Sequence, residues 1–464
     1  MTTPGPLDAL AALAATGEIA VIGLGRSGTA VSRLLGRAGA RVYASDAGTS
    51  DGVREAAAAL AADGIAAEAG RHDLERIARA GTVVVSPGVP PNAPPLVAAR
   101  SRGVPVVSEV EVALRALPGL PYIGITGTNG KTTVTALIAH LLRALGHETV
   151  EAGNIGTPLS ELALSARRPA WVVVELSSFQ LHDTPSVAPV VAVLTNLAPD
   201  HLDRYASLDE YYGDKMLLFR NAAIGAIRVV NGDDAEVLRR TAAIPGIARR
   251  FSLTERGADA SYDAEREMLM LAGAALLERP LLPLLGDHNI ANALTAALAV
   301  WHAVPADQTT AGRARMAAAL RGFKAITHRL ESLGERDGVL WVNDSKATNV
   351  GAARVALEAM SRPTIVLLGG RHKGEPYTGL LPALRARAKV VLAYGESESR
   401  IVNDLGKHVA VERLGSSFEQ VIARARALAA PGDAVLLAPA CSSYDMFTNY
   451  EERGAAFRRL ALGE

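Results

Sequence analysis

The strongest chemical signal in the chain is the run Gly127-Thr128-Asn129-Gly130-Lys131-Thr132-Thr133. An apolar, strand-like stretch, 122–126, precedes it. Val134, Leu137, Ile138, Leu141, Leu142 and Leu145 follow at three- and four-residue spacing, one face of a helix that Gly146 ends. Strand, glycine turn and helix N-terminus make an anion site: backbone N–H groups converge, the helix dipole adds partial positive charge, and Lys131 supplies a full one. Thr132 offers a hydroxyl to the Mg²⁺ that accompanies nucleotide phosphates. The run departs from the GxxxxGK[ST] pattern at its first position, where Ile125 stands. Gly-Lys-Thr alone recurs in loops by accident, so the flanking strand and helix carry the reading.

Phosphoryl chemistry next needs carboxylates and metal ligands. Glu175 ends the apolar run 171–174 and is followed by Ser177 and Gln180, at the edge where an open α/β sheet meets its ligand. A lone Glu at a strand end is usually a solvated turn residue; in this polar cluster it reads as a Mg²⁺ ligand. The next run, 190–195, leads to His201 between Asp200 and Asp203, again at a strand end. Lys215 lies on a helical stretch, 208–221, among Tyr, Leu and Phe. Only seven of the 48 basic residues are lysine, and those at 131, 215, 346 and 373 fall inside candidate site motifs. A chain that so favours arginine keeps lysine where a compact ammonium, or an amine able to lose its proton, is needed; the alternative is chance on the surface.

Two further blocks carry loops of the same kind. Gly23-Leu-Gly25-Arg26-Ser27-Gly28 follows the run 19–22, and Asp46 ends the next one, the spacing of a diphosphate docked on a helix N-terminus with a ribose-binding acid beyond it. By itself this fits a dinucleotide oxidoreductase or a UDP-sugar equally. A second phosphate module built for Mg-nucleotide argues against a simple oxidoreductase. Near the end of the chain, polar loops at 343–349, 369–374 and 438–443 follow the apolar runs 339–342, 364–368 and 434–437. Three such loops on one sheet edge describe a binding mouth. Cys441, in Ala/Pro/Ser surroundings, reads as a packed small residue and not a nucleophile.

The elements that position these loops are short Val/Ile-rich runs alternating with Ala/Leu-rich helical stretches, an α/β pattern. We expect three domains: an N-terminal Rossmann-like domain (1–112), a central P-loop mononucleotide-binding domain with a mostly parallel sheet (113–327), and a C-terminal Rossmann-like domain (328–464). Pro118, Gly119 and Pro121 mark the first boundary; the second falls around 322–328. The 464 residues suit two to four domains. Balanced charge, 48 Lys+Arg against 48 Asp+Glu, excludes a nucleic-acid or membrane partner recognised through bulk charge. The single cysteine excludes an intrachain disulfide. No apolar run is long enough to span a bilayer. Asp8, with no Lys or Arg before a short Leu/Ala stretch, argues against a signal peptide. A cytoplasmic monomer is the expectation.

Residues 23–28, 86–88, 126–133, 153–156, 175–181, 200–205, 286–292, 328–329, 343–349, 369–374 and 439–443 together resemble the Mur ligases. Within that family, Glu-Leu-Ser-Ser-Phe-Gln-Leu at 175–181 and Asn-Asp-Ser-Lys-Ala-Thr-Asn at 343–349 resemble the D-glutamate-adding branch. The Ile125 departure is shared by the family's loop. The resemblance implies an ATP-dependent amide ligase of peptidoglycan precursor synthesis. It would join D-glutamate to UDP-N-acetylmuramoyl-L-alanine through an acyl phosphate, giving ADP and phosphate.

It also implies residue roles. Gly25, Arg26, Ser27, Asp46 and Gly88 would hold the UDP substrate, with Asn154, Ser177, Gln180 and His201 toward its terminal carboxylate. Gly127, Thr128, Asn129, Gly130, Lys131, Thr132, Thr133, Asn289, Asn292, Arg329, Asp344 and Lys346 would hold ATP. Thr348, Lys373, Ser443 and Tyr450 would hold D-glutamate, Tyr450 standing where relatives often carry Phe. Lys131, Glu175, His201 and Lys215 would be catalytic. Of two Mg²⁺ ions, Thr132 and Glu175 would bind one, His201 and Lys215 the other, with Lys215 carboxylated to a carbamate. The alternatives are a Mur ligase adding another amino acid, an oxidoreductase built on 23–28, or an inactive nucleotide-binding module. The last would be marked by loss of Lys131, Glu175, His201 or Lys215, and all four are present. Sites on three domains imply a hinge near 322–330. Small-angle scattering is therefore expected to show compaction with an ATP analogue and both substrates, and an unchanged radius of gyration would remove the hinge.

Overall fold

In the computed structural model, residues 8–166, 168–200 and 204–463 are described. The first sheet comprises β1 (Ile19–Ile22), β2 (Val42–Asp46), β3 (Ala66–Ala69), β4 (Thr82–Val85) and β5 (Val106–Ser108), in the order β3-β2-β1-β4-β5. Every pairing in it is parallel. Strands covered on both faces read as unbroken apolar runs, and each residue of β1 and β4 is buried.

The second sheet begins with β6 (Tyr122–Thr126), β7 (Thr149–Gly153), β8 (Trp171–Glu175), β9 (Val191–Leu194), β10 (Ile227–Asn231) and β11 (Ile247–Ser252). It continues through β12 (Ala260–Asp263), β13 (Met268–Leu271) and β14 (Ala274–Glu278). The order is β14-β13-β12-β11-β10-β9-β6-β8-β7, parallel from β7 to β12 and antiparallel over the last two pairings. The mostly parallel sheet expected of the central block is present. Ala272 (φ 47°) and Gly273 (φ 74°) form the two-residue turn between β13 and β14, the left-handed pair that matches strand twist in a hairpin.

The third sheet contains β15 (Glu331–Arg336), β16 (Val339–Asn343), β17 (Thr364–Gly369), β18 (Ala388–Tyr394), β19 (Val411–Arg413) and β20 (Ala434–Leu437), in the order β15-β16-β20-β17-β18-β19. Only β15 pairs antiparallel. The chain divides into two compact units, Met1–Arg279 with Ala291–Leu320, and Pro280–Ile290 with Arg321–Glu464. The first two sheets belong to the former unit and the third to the latter. Three sheets in α/β layers agree with the fold class read from the sequence.

One topological feature positions three of the polar loops, 23–28, 127–133 and 438–443. The strand before each has parallel neighbours on both sides whose C-terminal ends reach the same edge: β1 between β2 and β4, β6 between β8 and β9, β20 between β16 and β17. Ligands of open α/β sheets bind outside these carboxyl ends, where the strand order switches direction. The helix expected after the glycine run spans Lys131–Ala144. The stretch carrying Lys215 is an α-helix, Leu208–Met216, tightened to a 3₁₀ turn at Leu217–Phe219. Among the described residues no helix is long and apolar enough to cross a membrane.

Candidate active site

The glycine run is held open by its neighbours. Gly127 has φ 143° and Gly130, the N-cap of the Lys131–Ala144 helix, φ 82°. A Cβ on Gly127 would collide with the Thr195 hydroxyl, and one on Gly130 with Asn292 Oδ1. The end of β9 pins the turn between them. Asn129 N–H donates to Asn196 Oδ1 at 2.9 Å, while Thr195 Oγ1 and Asn196 Nδ2 donate to Asn129 O at 2.7 and 3.1 Å. Thr128 Oγ1 donates to Ala198 O at 3.0 Å. Gly127→Ala is expected to cost about 1–3 kcal/mol from backbone strain alone, before the clash is counted. A thermal midpoint equal to wild type would show that the loop relaxes around it.

Two lysines converge on this turn. Lys131 Nζ donates to Gly127 O at 2.9 Å and Thr128 O at 2.8 Å, and Lys215 Nζ donates to the same Gly127 O at 2.8 Å. Lys215 is 2% exposed, and its ammonium lies 4.5 Å from the centre of the Tyr211 ring. Burial, then the positive charge of Lys131, drive its pKa down from 10.5 to about 6, against the pull of Asp200, Asp214 and Glu175. The Lys215 amine therefore gives up its proton far more readily than a solvated lysine.

Glu175, at the end of β8, is buried. Its Oε1 accepts from Asn154 Nδ2 at 2.9 Å, and its backbone carbonyl accepts from Asn154 N–H at 2.9 Å. Its Oε2 is buried without a hydrogen-bond partner among the described residues. A buried carboxylate oxygen left bare is costly unless something positive meets it. Just past it, Ser177 and Gln180 close a capping box on the Ser178–His182 helix. Ser177 Oγ accepts from Gln180 N–H at 3.2 Å and Gln180 Oε1 from Ser177 N–H at 3.0 Å, which leaves the buried Gln180 Nε2 without a partner among the described residues. Among the described residues there is no group of three His, Cys, Asp or Glu arranged to hold a metal. His201, assigned to the second metal from the sequence, lies outside the described residues. The bare Glu175 oxygen, with Thr132 on the first turn of the Lys131–Ala144 helix, fits one Mg²⁺.

A groove of about 600 Å³ gathers Gly25, Arg26, Ser27, Asp46, Gly88 and Asn154, six of the residues assigned to the UDP substrate. Gly25 is the N-cap of the Arg26–Arg37 helix, without a side-chain cap among the described residues, and Gly25, Arg26 and Ser27 at that N-terminus line the groove. Arg26, on its exposed side, reaches Glu161 at 3.3 Å. Asp46 is already engaged: its carboxylate accepts from Leu24 N–H at 2.8 Å and Gly48 N–H at 2.7 Å, bracing the glycine turn. Ser177 and Gln180 do not line this groove. Gln180 lines an adjoining cavity of about 180 Å³ that shares Ser86, Pro87 and Val89 with it.

In the second unit, Asp344 is buried at the end of β16, and burial raises its pKa to about 7, opposed by the Leu330 N–H at 3.2 Å and the Arg329 charge. Lys346 Nζ stands 5.1 Å from the centre of the Tyr450 ring, and Lys373 Nζ donates to Thr348 Oγ1 at 3.1 Å. Ser443 is buried in the loop after β20. Asn289 Nδ2 donates to Leu285 O at 2.8 Å. The Cys441 thiol is buried beside the Tyr377 hydroxyl at 2.8 Å, and burial pushes its pKa up, as a packed small residue requires.

Three family models match the chain in sequence: a Mur ligase MurD-like N-terminal domain over 17–108, a Mur ligase middle domain over 125–300, and a Mur ligase glutamate ligase domain over 328–441. The UDP-N-acetylmuramoylalanine–D-glutamate ligase of Anaeromyxobacter dehalogenans is 43% identical, the match covering 96% of this chain and 97% of that protein. The enzyme of the same name from Myxococcus xanthus is 42% identical, over 97% and 99%. The chain belongs to the Mur ligase family. Its fold is also that of a crystal structure of UDP-N-acetylmuramate-alanine ligase from Thermotoga maritima, with TM-score 0.58 at 20% identity, over 96% of this chain and 100% of that one.

Sequence reasoning missed some side chains that shape this Mur ligase's site. His72 lines the groove, half-buried, with Nδ1 2.9 Å from Ser45 Oγ. Asp214 holds Tyr205 OH at 3.0 Å and His182 Nδ1 at 2.9 Å, and Tyr205 stacks on Phe179 at 5.3 Å between centroids. Asp214 immediately precedes Lys215, so a charged pair in a Tyr/Leu/Phe helix was the available cue. An isolated His72 carried none.

Proposed function

We propose that this Mur ligase uses ATP and Mg²⁺ to join D-glutamate to UDP-N-acetylmuramoyl-L-alanine, as a cytoplasmic monomer. The observation that carries the reading is the convergence of Lys131 and Lys215 on the Gly127 carbonyl, with the charge of Glu175 felt at Lys215. A carboxylate is a poor acyl donor because its leaving group would be oxide. Phosphoryl transfer from ATP makes it an acyl phosphate; the D-glutamate amine then attacks, and phosphate leaves.

The chain's residues act by position and charge. The first-turn amides of the Lys131–Ala144 helix and the Lys131 ammonium hold the phosphates, turning from the loop carbonyls toward them. Thr132 and Glu175 would hold one Mg²⁺, and His201 and Lys215, the latter as a carbamate, a second; ions bound there would supply positive charge against that of the transferred phosphoryl group. Gly25, Arg26, Ser27 and Gly88 seat the UDP diphosphate, while Asp46 acts through the glycine turn it braces. Asn154, Ser177 and Gln180 orient the terminal carboxylate. Asn289, Asn292, Arg329, Asp344 and Lys346 contact the nucleotide. Thr348, Lys373, Ser443 and Tyr450 hold D-glutamate, Lys373 pairing with one of its carboxylates.

Phosphate release tests the reading. It is expected to depend on UDP-N-acetylmuramoyl-L-alanine, ATP and Mg²⁺ together, and to reach full turnover on addition of D-glutamate alone. Turnover with a diamino acid in place of D-glutamate, and not with D-glutamate, would overturn it.

A further inference from the structure

Arg453 is fully buried on the first turn of the Tyr450–Leu462 helix. That is a doubly unfavourable place for a cation: it is out of water, and it sits at the positive end of the helix dipole. Among the described residues no carboxylate pairs with it. Its partners are the three polar loops at the sheet edge. Nε donates to Ser345 Oγ at 3.0 Å and Nη2 to Ser345 O at 2.8 Å, in the loop after β16. Nη2 also reaches Cys441 O at 3.1 Å, in the loop after β20, and Nη1 lies 3.5 Å from Gly369 O, where β17 ends. Ser345 Oγ donates in turn to Tyr450 O at 2.8 Å. Only a planar fork with five N–H donors can span these acceptors at once; an ammonium would choose among them.

The loops are also tied directly. Arg371 and Ser442 exchange backbone hydrogen bonds at 2.9 and 3.1 Å, and Gly370 sits so near that a Cβ there would collide with Ser442 O and crowd the Arg453 guanidinium. Thr348, Lys373 and Ser443 each lie within a few residues of a loop atom that Arg453 grips, and Tyr450 is one helical turn before it on the same face. We propose that Arg453 is the positioning residue of the acceptor site, locking the loops after β16, β17 and β20 in one arrangement so that Thr348, Lys373, Ser443 and Tyr450 meet a single amino-acid ligand. This rests on the assignment of those four residues to D-glutamate.

Arg453→Lys keeps the charge and most of the volume; Arg453→Met removes the charge. Hydrogen exchange on the full chain is expected to quicken at least about tenfold for the amides of Arg371 and Ser442 in both variants, with the β6 and β8 peptides unchanged. In the folded Lys variant, KM for D-glutamate is expected to rise by at least about tenfold, while KM for the UDP substrate shifts less than about twofold. Acyl phosphate trapped with hydroxylamine should persist. Exchange at the wild-type rate in the Lys variant overturns the loop-locking role, whatever the kinetics. Loosened loops with an unaltered D-glutamate KM overturn the assignment of the acceptor site to these loops, and with it the proposal.

Discussion

Lys215→Arg is expected to lower turnover by at least about two orders of magnitude although a long basic side chain is kept. The amine it replaces is buried, 2.8 Å from Gly127 O, over the Tyr211 ring, and close enough to Lys131 to be driven toward neutrality. Such an amine can attack carbon dioxide, forming an N–C bond and releasing a proton, and so become an anionic oxygen donor. Guanidinium stays protonated at any accessible pH and cannot. Arginine is also larger, and overpacking this wall could lower activity by a structural route. Lys215→Ala separates the two. It leaves a cavity, and added short carboxylic acids are expected to restore part of the rate by supplying the missing oxygen ligand there. A Lys215→Arg rate close to wild type, or an alanine variant indifferent to carboxylic acids, removes Lys215 from the second metal site.

The rarity of lysine in the sequence singles that residue out, and other parts of the site were legible there for equally physical reasons. Parallel strands buried on both faces leave unbroken apolar runs, so β1, β2, β6, β8, β9, β16, β17 and β20 stood out, with ends shifted by a residue or so. The polar loops at their carboxyl ends followed directly. Strands of other character did not stand out. β7, at one edge of its sheet, reads Thr-Val-Glu-Ala-Gly with mixed burial, and β3 is largely half-exposed. The β13–β14 hairpin hid because its turn uses Ala272-Gly273 inside Met-Leu-Met-Leu-Ala-Gly-Ala-Ala-Leu-Leu, an apolar stretch whose period does not separate helix from strand. Asp46 was legible as an acid at the right distance, but only the structure gives its partners, two backbone amides of nearby turns. Arg453 was invisible for a different reason. One arginine among many on a helix shows nothing of its burial, and its partners lie 12 to 108 residues away.

Glu175→Gln is expected to separate stability from activity at the first metal site. Gln and Glu have nearly the same shape, so the amide oxygen can still accept from Asn154 Nδ2, now at 2.9 Å from Oε1. The change falls on Oε2, the buried oxygen without a partner among the described residues. Removing a bare buried charge relieves a desolvation penalty of about 1–3 kcal/mol, so without Mg²⁺ the variant's thermal midpoint should equal or exceed that of wild type. Turnover should fall at least about a hundredfold, because a neutral amide neither holds the cation nor balances charge on the phosphates. The decisive comparison is the midpoint with and without Mg²⁺ and an ATP analogue. A ligand that binds only the folded state raises it by mass action. Wild type should show a Mg²⁺-dependent rise that Glu175→Gln loses. An equal rise in both proteins would mean that the cation is held elsewhere, and the bare oxygen would then need another explanation.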